Sequence, residues 1–91
     1  MEFEWDDTKQ ESDLRKHRLD FADVAIVFAG ATFTIADHRF DYGEDRFVTF
    51  GLLRDTVVVV AHSERGDMIR VISMRKATKH EQKIYYAGFA N

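Results

Sequence analysis

The sequence predicts an α+β fold: N-terminal helices and a C-terminal helix packed on a mainly antiparallel sheet that ends in a meander. Three patterns carry this reading. Between Ala31 and Arg75, four runs rich in Val, Ile, Phe and Thr follow one another, broken by short stretches containing Gly, Asp and Arg, as strands joined by turns require. Ahead of them, Phe21, Val24, Ala25 and Phe28 fall at i, i+3, i+4 and i+7 and form one apolar helical stripe. Behind them, "TKHE" from Thr78 to Glu81 has the spacing of a capping box, which opens a helix.

Each element has its own grounds. "EFEWD" alternates, with Phe3 and Trp5 on one side and Glu2 and Glu4 on the other, and reads as a short strand at a sheet edge. Asp6 or Asp7 caps a helix over about Thr8–His17, whose only large apolar residue is Leu14, so it should lie on the surface. Asp20 caps the second helix and Gly30 sits where it ends. "ATFTIAD" is a strand, "DHRFDYGED" a solvated acidic loop, and "RFVTFGLL" the next strand. Arg54-Asp55 and Gly66-Asp67 make the turns to "TVVVVAHSE" and "MIRVISMR". In the last helix, Ile84 and Tyr85 face inward. The helices gather on one side of the sheet, and its other face stays partly open.

Ninety-one residues make one domain, spanning residues 1–91. At 45% apolar and 32% charged the chain is globular rather than disordered. It has no cysteine, which excludes disulfides and thiolate metal sites and suits a reducing cytoplasm. The acidic start "MEFEWDDTK" is unlike a signal peptide, and "TVVVVA" is too short to span a bilayer, so a soluble protein with no membrane partner is expected. The net charge of −3 hides an asymmetry. Residues 1–64 hold seven Lys/Arg against fourteen Asp/Glu, while residues 65–91 hold six against two. A local basic face able to hold a few phosphates is compatible with that balance; a general nucleic-acid coat protein is not.

The four histidines, His17, His38, His62 and His80, lack zinc-ligand spacing, and there is no Gly-rich phosphate loop or nucleophile elbow, so neither metal nor cofactor is expected. The meander carries the remaining chemistry. With two-residue turns, Phe47 faces His62, His62 faces Val71 and Val60 faces Ser73. Alternation then places His62, Glu64, Ser73 and Arg75 on one face and Arg46 and Arg70 on the other, unless a bulge shifts the register. His62 pairs with Glu64 in the plainest reading. The alternative is RNA cleavage: the 2′-hydroxyl attacks phosphorus, a histidine moves protons, and arginines hold the phosphate oxygens.

"FEWDDTK", "RKH" at 15–17, "GEDRF", "VVVAHSER" and "IRVISMRKATKHE" occur in this order. Together they closely resemble the BrnT family, toxins of type II toxin–antitoxin pairs with a RelE-like fold. The resemblance covers almost the whole chain, and the segment Arg70 to Glu81 is its most specific part. It implies a metal-independent endoribonuclease that stops growth by inhibiting translation. A BrnA-type antitoxin neutralises such toxins, and the complex represses its own promoter by binding operator DNA through the antitoxin. A toxin dimer within the hetero-oligomer is also implied. By similarity Arg46 and Arg75 are the active-site cations, and His62 and Arg70 also stand at family motif positions; Arg46, His62 and Arg75 are thus the catalytic candidates, and Arg70, with Lys76 and Lys79 from the basic run that follows the hairpin, the candidates for holding phosphate. One departure is Arg18, where the family usually has glycine. Two other functions stay open: a non-catalytic subunit that binds an antitoxin and assists repression, and a toxin-fold relic kept as a structural partner.

Overall fold

Strands β1 (Glu2–Trp5), β2 (Phe33–Ala36), β3 (Arg46–Leu53), β4 (Thr56–Arg65) and β5 (Met68–Lys76) form one sheet in the order β1-β5-β4-β3-β2. The structure is a computed structural model describing residues 1–89. β2 to β5 pair antiparallel as neighbours, while β1 joins β5 in parallel, so the sheet is mixed. The three helices are α1 (Asp7–His17), α2 (Val24–Ala29) and α3 (Lys79–Ala87), and a single 3₁₀ turn over Phe21–Asp23 leads into α2.

The turns form where the sequence places them. Leu53 faces Thr56 and Arg65 faces Met68, so two residues turn the chain each time. Gly66 supplies a φ of +57° at the second turn, where a side chain would be strained. Asp6 caps α1 by accepting from the Lys9 amide, and Asp20 accepts from the Ala22 amide.

β4 is apolar on both faces: Val57, Val58, Val59 and Val60 are all buried. Each such side chain stabilises the fold by about 1.5–3 kcal/mol before chain entropy is counted. Both faces therefore need cover. Val58 and Val60 pack with Phe21, Val24, Val27, Val71 and Met74 under α2, and Phe3 and Trp5 join them. Val57 and Val59 pack with Phe50 and Tyr85 under α3. The expectation that all helices share one side is thus corrected: α3 takes the second face. It covers only part of it, as the partly open face requires.

Two side-chain assignments also change. Ala25 is exposed, and Val27 is buried instead. The 3₁₀ turn advances three residues per turn, so the buried set runs Phe21, Val24, Val27. Ile84 is 40% exposed, and Tyr85 alone turns inward, its hydroxyl donating to the Ala31 carbonyl at 2.8 Å.

The largest correction concerns the register of β4 and β5. Val60 faces Met74 and Ala61 faces Ser73, yet the next residue, His62, faces Val71. Ile72 is the extra residue of a β-bulge. Beyond it, β5 changes its facing relative to the expected alternation. His62 falls on the α2 face with Val60 and Val71, while Ser73 and Arg75 fall on the α3 face with Ala61 and Val59. Arg46 alternates with Val48 and Phe50, so it shares the α3 face with Arg75. The cost of two arginines pointing into a core does not arise.

Candidate functional site

Beyond the end of α3's cover, the second sheet face holds a cleft of about 350 Å³. Val48, Val59, Ala61 and Ser73 line it from the sheet, and Arg75, Glu81 and the segment Asp37-His38-Arg39 contribute its polar groups.

Arg75 stands near the end of β5, and Glu81 in the first turn of α3 is carried back beside it. The Arg75 Nη1 and Nη2 donate to the two Glu81 carboxylate oxygens at 2.7 and 2.8 Å. Glu81 also completes the capping box: it accepts from the Thr78 amide at 2.9 Å, and its own amide donates to the Thr78 hydroxyl at 3.2 Å. The Arg75 hydrogen bonds, working against partial burial, hold the Glu81 carboxyl down to about 2. The same bonds raise the Arg75 pKa, opposed by burial and by the charge of Arg39. A guanidinium has five N–H groups, so this clamp leaves donors over for an anion.

Arg39 carries a matching clamp. Its Nε and Nη2 donate to Asp37 at 2.9 and 3.0 Å, and Asp37 also accepts from the Tyr42 hydroxyl at 3.1 Å. Arg39, chiefly through its side-chain hydrogen bonds, holds the Asp37 carboxyl well below the usual carboxylate range. The loop expected to be a solvated acidic stretch is therefore partly structural, with the Asp37 side chain only 6% exposed. His38 lies between Asp37 and Arg39 and is exposed.

An adjoining cleft of about 370 Å³ shares Ala36, Asp37 and His38 with the first and reaches Arg46. The Arg46 guanidinium lies 4.1 Å from the centre of the Tyr42 ring, a cation–π contact, and its Nε donates to Glu44 at 3.4 Å. In the register Arg46 faces Ser63 and Arg75 faces Val59, on opposite sides of β4. Their Cα atoms are therefore about 16 Å apart by strand geometry, and the two arginines serve adjoining clefts rather than one. Arg70 donates to Glu4 at 3.4 Å and shares a groove with Arg46 and Lys9. Lys76 and Lys79 are exposed, outside the residues that line the Arg75 cleft.

His62 is not brought to these residues. It is 0% exposed, between the rings of Phe28 and Phe47 at 5.4 and 5.9 Å. Its Nε2 shares a 2.7 Å hydrogen bond with the Thr49 hydroxyl, which in turn bonds Thr34 at 2.6 Å. Its Nδ1 is 3.8 Å from Glu64 and has no hydrogen-bond partner, so the expected His62–Glu64 bond is replaced by one to Thr49. Burial pushes the His62 pKa down, with Glu64 acting weakly the other way.

Sequence reasoning missed Arg39 and His38. The signal was there in part: pairing β2 with β3 through Ala36 and Phe47 sets the intervening loop at this end of the sheet. Among the described residues, no group of three or more His, Cys, Asp or Glu is placed to hold a metal ion, and no helix is long and apolar enough to cross a membrane.

Comparison with the curated proteins finds no match. Residues 5–81 match the family model described as "Ribonuclease toxin, BrnT, of type II toxin-antitoxin system". That match spans most of the chain, from Trp5 at the end of β1 through the whole meander to Arg75 and Glu81, and the chain belongs to this family of ribonuclease toxins, whose toxin–antitoxin type implies a protein antitoxin as partner.

Proposed function

We propose that this chain is a metal-independent endoribonuclease that binds an RNA phosphate in the cleft between Arg75 and Arg39 and arrests growth by stopping translation. One observation carries the reading. Two guanidiniums from distant parts of the chain face one cleft closely enough for the charge of Arg39 to act on Arg75. Like charges set together, each aimed by its own carboxylate, suit an anion with several oxygens. Such fixed donors stabilise the charge that builds on phosphorus oxygens during cleavage. Arg46 supports the neighbouring stretch of RNA, and Arg70 extends the cationic path along the same side. Lys76 and Lys79 contribute long-range attraction from the rim. The catalytic part assigned to His62 passes to a structural one. In this reading a BrnA-type antitoxin neutralises the toxin, a toxin dimer is assembled with it, and the antitoxin carries the complex to operator DNA.

The test is expression from a tightly controlled promoter, with growth and bulk RNA followed together. Wild type arrests growth and loses RNA, and co-expression of the antitoxin relieves both. Arg75→Ala folds but cleaves RNA about 10²–10³-fold more slowly, the cost of removing one transition-state donor. Full toxicity in that variant would refute the assignment.

A second reading is a non-catalytic subunit that binds antitoxin and assists promoter repression. It is favoured by the carboxylate partners of Arg39, Arg46, Arg70 and Arg75, all supplied within the chain. Growth without arrest, together with a DNA footprint of the toxin–antitoxin pair, selects it.

A further inference from the structure

Cleaving RNA through its own 2′-hydroxyl requires a group that accepts the hydroxyl proton at neutral pH. His62 does not reach the cleft, since it is 0% exposed and held on the opposite sheet face. The carboxylates of the cleft are already engaged, Glu81 by Arg75 and Asp37 by Arg39 and Tyr42. A carboxylate pinned in that way is a weak base. His38 meets the requirement. It is exposed and stands between the two halves of the Asp37–Arg39 clamp. It also lines both clefts, so it sits where the space beside Arg75 meets the space beside Arg46.

We infer that His38 is the general base of the cleavage step, an inference that rests on the reading of the Arg75 cleft as the RNA-cleaving site. The neutral imidazole takes the proton of the 2′-hydroxyl as the 2′-oxygen–phosphorus bond forms. The bond from phosphorus to the 5′-oxygen breaks, and that oxygen leaves with a proton from water. The products are a 2′,3′-cyclic phosphate and a 5′-hydroxyl, and the imidazolium returns its proton to solvent. No oxidant, metal or further reactant is needed. Histidine is suited to this because it titrates near neutrality.

The surroundings of His38 are mixed in charge. In the Arg75 cleft it shares space with Asp37, Arg39, Arg75 and Glu81. In the adjoining cleft it meets Asp41, Tyr42, Glu44, Asp45 and Arg46. The arginines hold the anionic substrate.

The experiment measures cleavage of a short RNA by the purified toxin from pH 5 to pH 9. In the wild type, kcat/KM climbs with pH through neutrality and then levels. His38→Ala stays folded, because the side chain is exposed, and still binds RNA. It cleaves about 10²–10⁴-fold more slowly and loses the climbing limb. Added imidazole restores part of the rate. A His38→Ala enzyme with the wild-type rate and profile overturns the inference. The underlying site reading fails on a different result, an Arg75→Ala enzyme that cleaves at full rate.

Discussion

Under α2, His62 and Thr49 are sealed at 0% exposure and bond to each other. On the α3 side, Arg75 and Glu81 pair through two hydrogen bonds yet keep a route to solvent through a cleft. His62, Thr49 and Arg75 all stand on the same three-strand meander, and α3 brings Glu81 to Arg75, so the strands themselves set which face each pair occupies. The difference comes from a single bulged residue, Ile72, which turns Arg75 toward the open face and leaves His62 in the core. The closed face turns its polar residues into packing and a buried hydrogen bond, whereas the open face leaves them lining a cleft.

That contrast can be broken most sharply at His62. His62→Ala removes a large buried side chain and its bond to Thr49, and should lower stability by about 3 kcal/mol, measured by urea unfolding. RNA cleavage per folded molecule should stay within a few-fold of wild type. A folded His62→Ala enzyme that is catalytically dead would erase the distinction between the faces.

Gly51 tests how tightly the closed face is packed. A Cβ there would meet the Val27 Cγ1 at 2.6 Å and the Thr32 Cγ2 at 2.9 Å. Gly51→Ala should therefore cost about 1–3 kcal/mol through overpacking, read as a drop in melting temperature. It should leave the pH dependence of cleavage untouched.

The two faces should also differ in how stability responds to acid. His62 has a folded pKa below its ordinary 6.5. Its contribution is present above pH 6.5 and falls away as pH drops, because the unfolded chain takes up a proton that the folded chain refuses. Glu81 is depressed from 4.5 to about 2, so its contribution is full above pH 4.5 and is lost as pH falls toward 2. Unfolding measured from pH 8 to pH 3 should show the first loss before the second. His62→Ala should remove only the earlier loss, and Glu81→Gln only the later one.

The smallest effect is expected at Arg18, which lines neither of the two clefts beside Arg75 and Arg46. It ends α1 at φ 58° and ψ 32°, a left-handed position that glycine occupies without strain. Arg18→Gly should stabilise the chain by about 1 kcal/mol and change no activity. An equal gain from Arg18→Ala would show that the backbone is not the cause.

Much of this was legible in the residues. Arg54-Asp55 and Gly66-Asp67 set the pairing of Phe47 with His62 and of His62 with Val71, since a two-residue turn leaves one register. The capping box at Thr78 was readable from spacing alone. The bulge was not, because Ile72 is as acceptable on one face as on the other and no glycine marks the spot. The side of the sheet taken by α3 was misjudged, although Val57 to Val60, four apolar residues in succession, signal burial on both faces. His38 and Arg39 were hidden by their setting. A loop has no periodicity, so nothing in its letters tells which way a side chain points.

Glu81 ties the start of α3 to the aim of Arg75, because one carboxylate accepts from the Thr78 amide and from both Arg75 amino groups. Selection therefore acts on a single trait where two would be expected. A change at Glu81 that loosens the guanidinium also frays the helix, so under the proposed role of Arg75 potency and durability rise and fall together at that position.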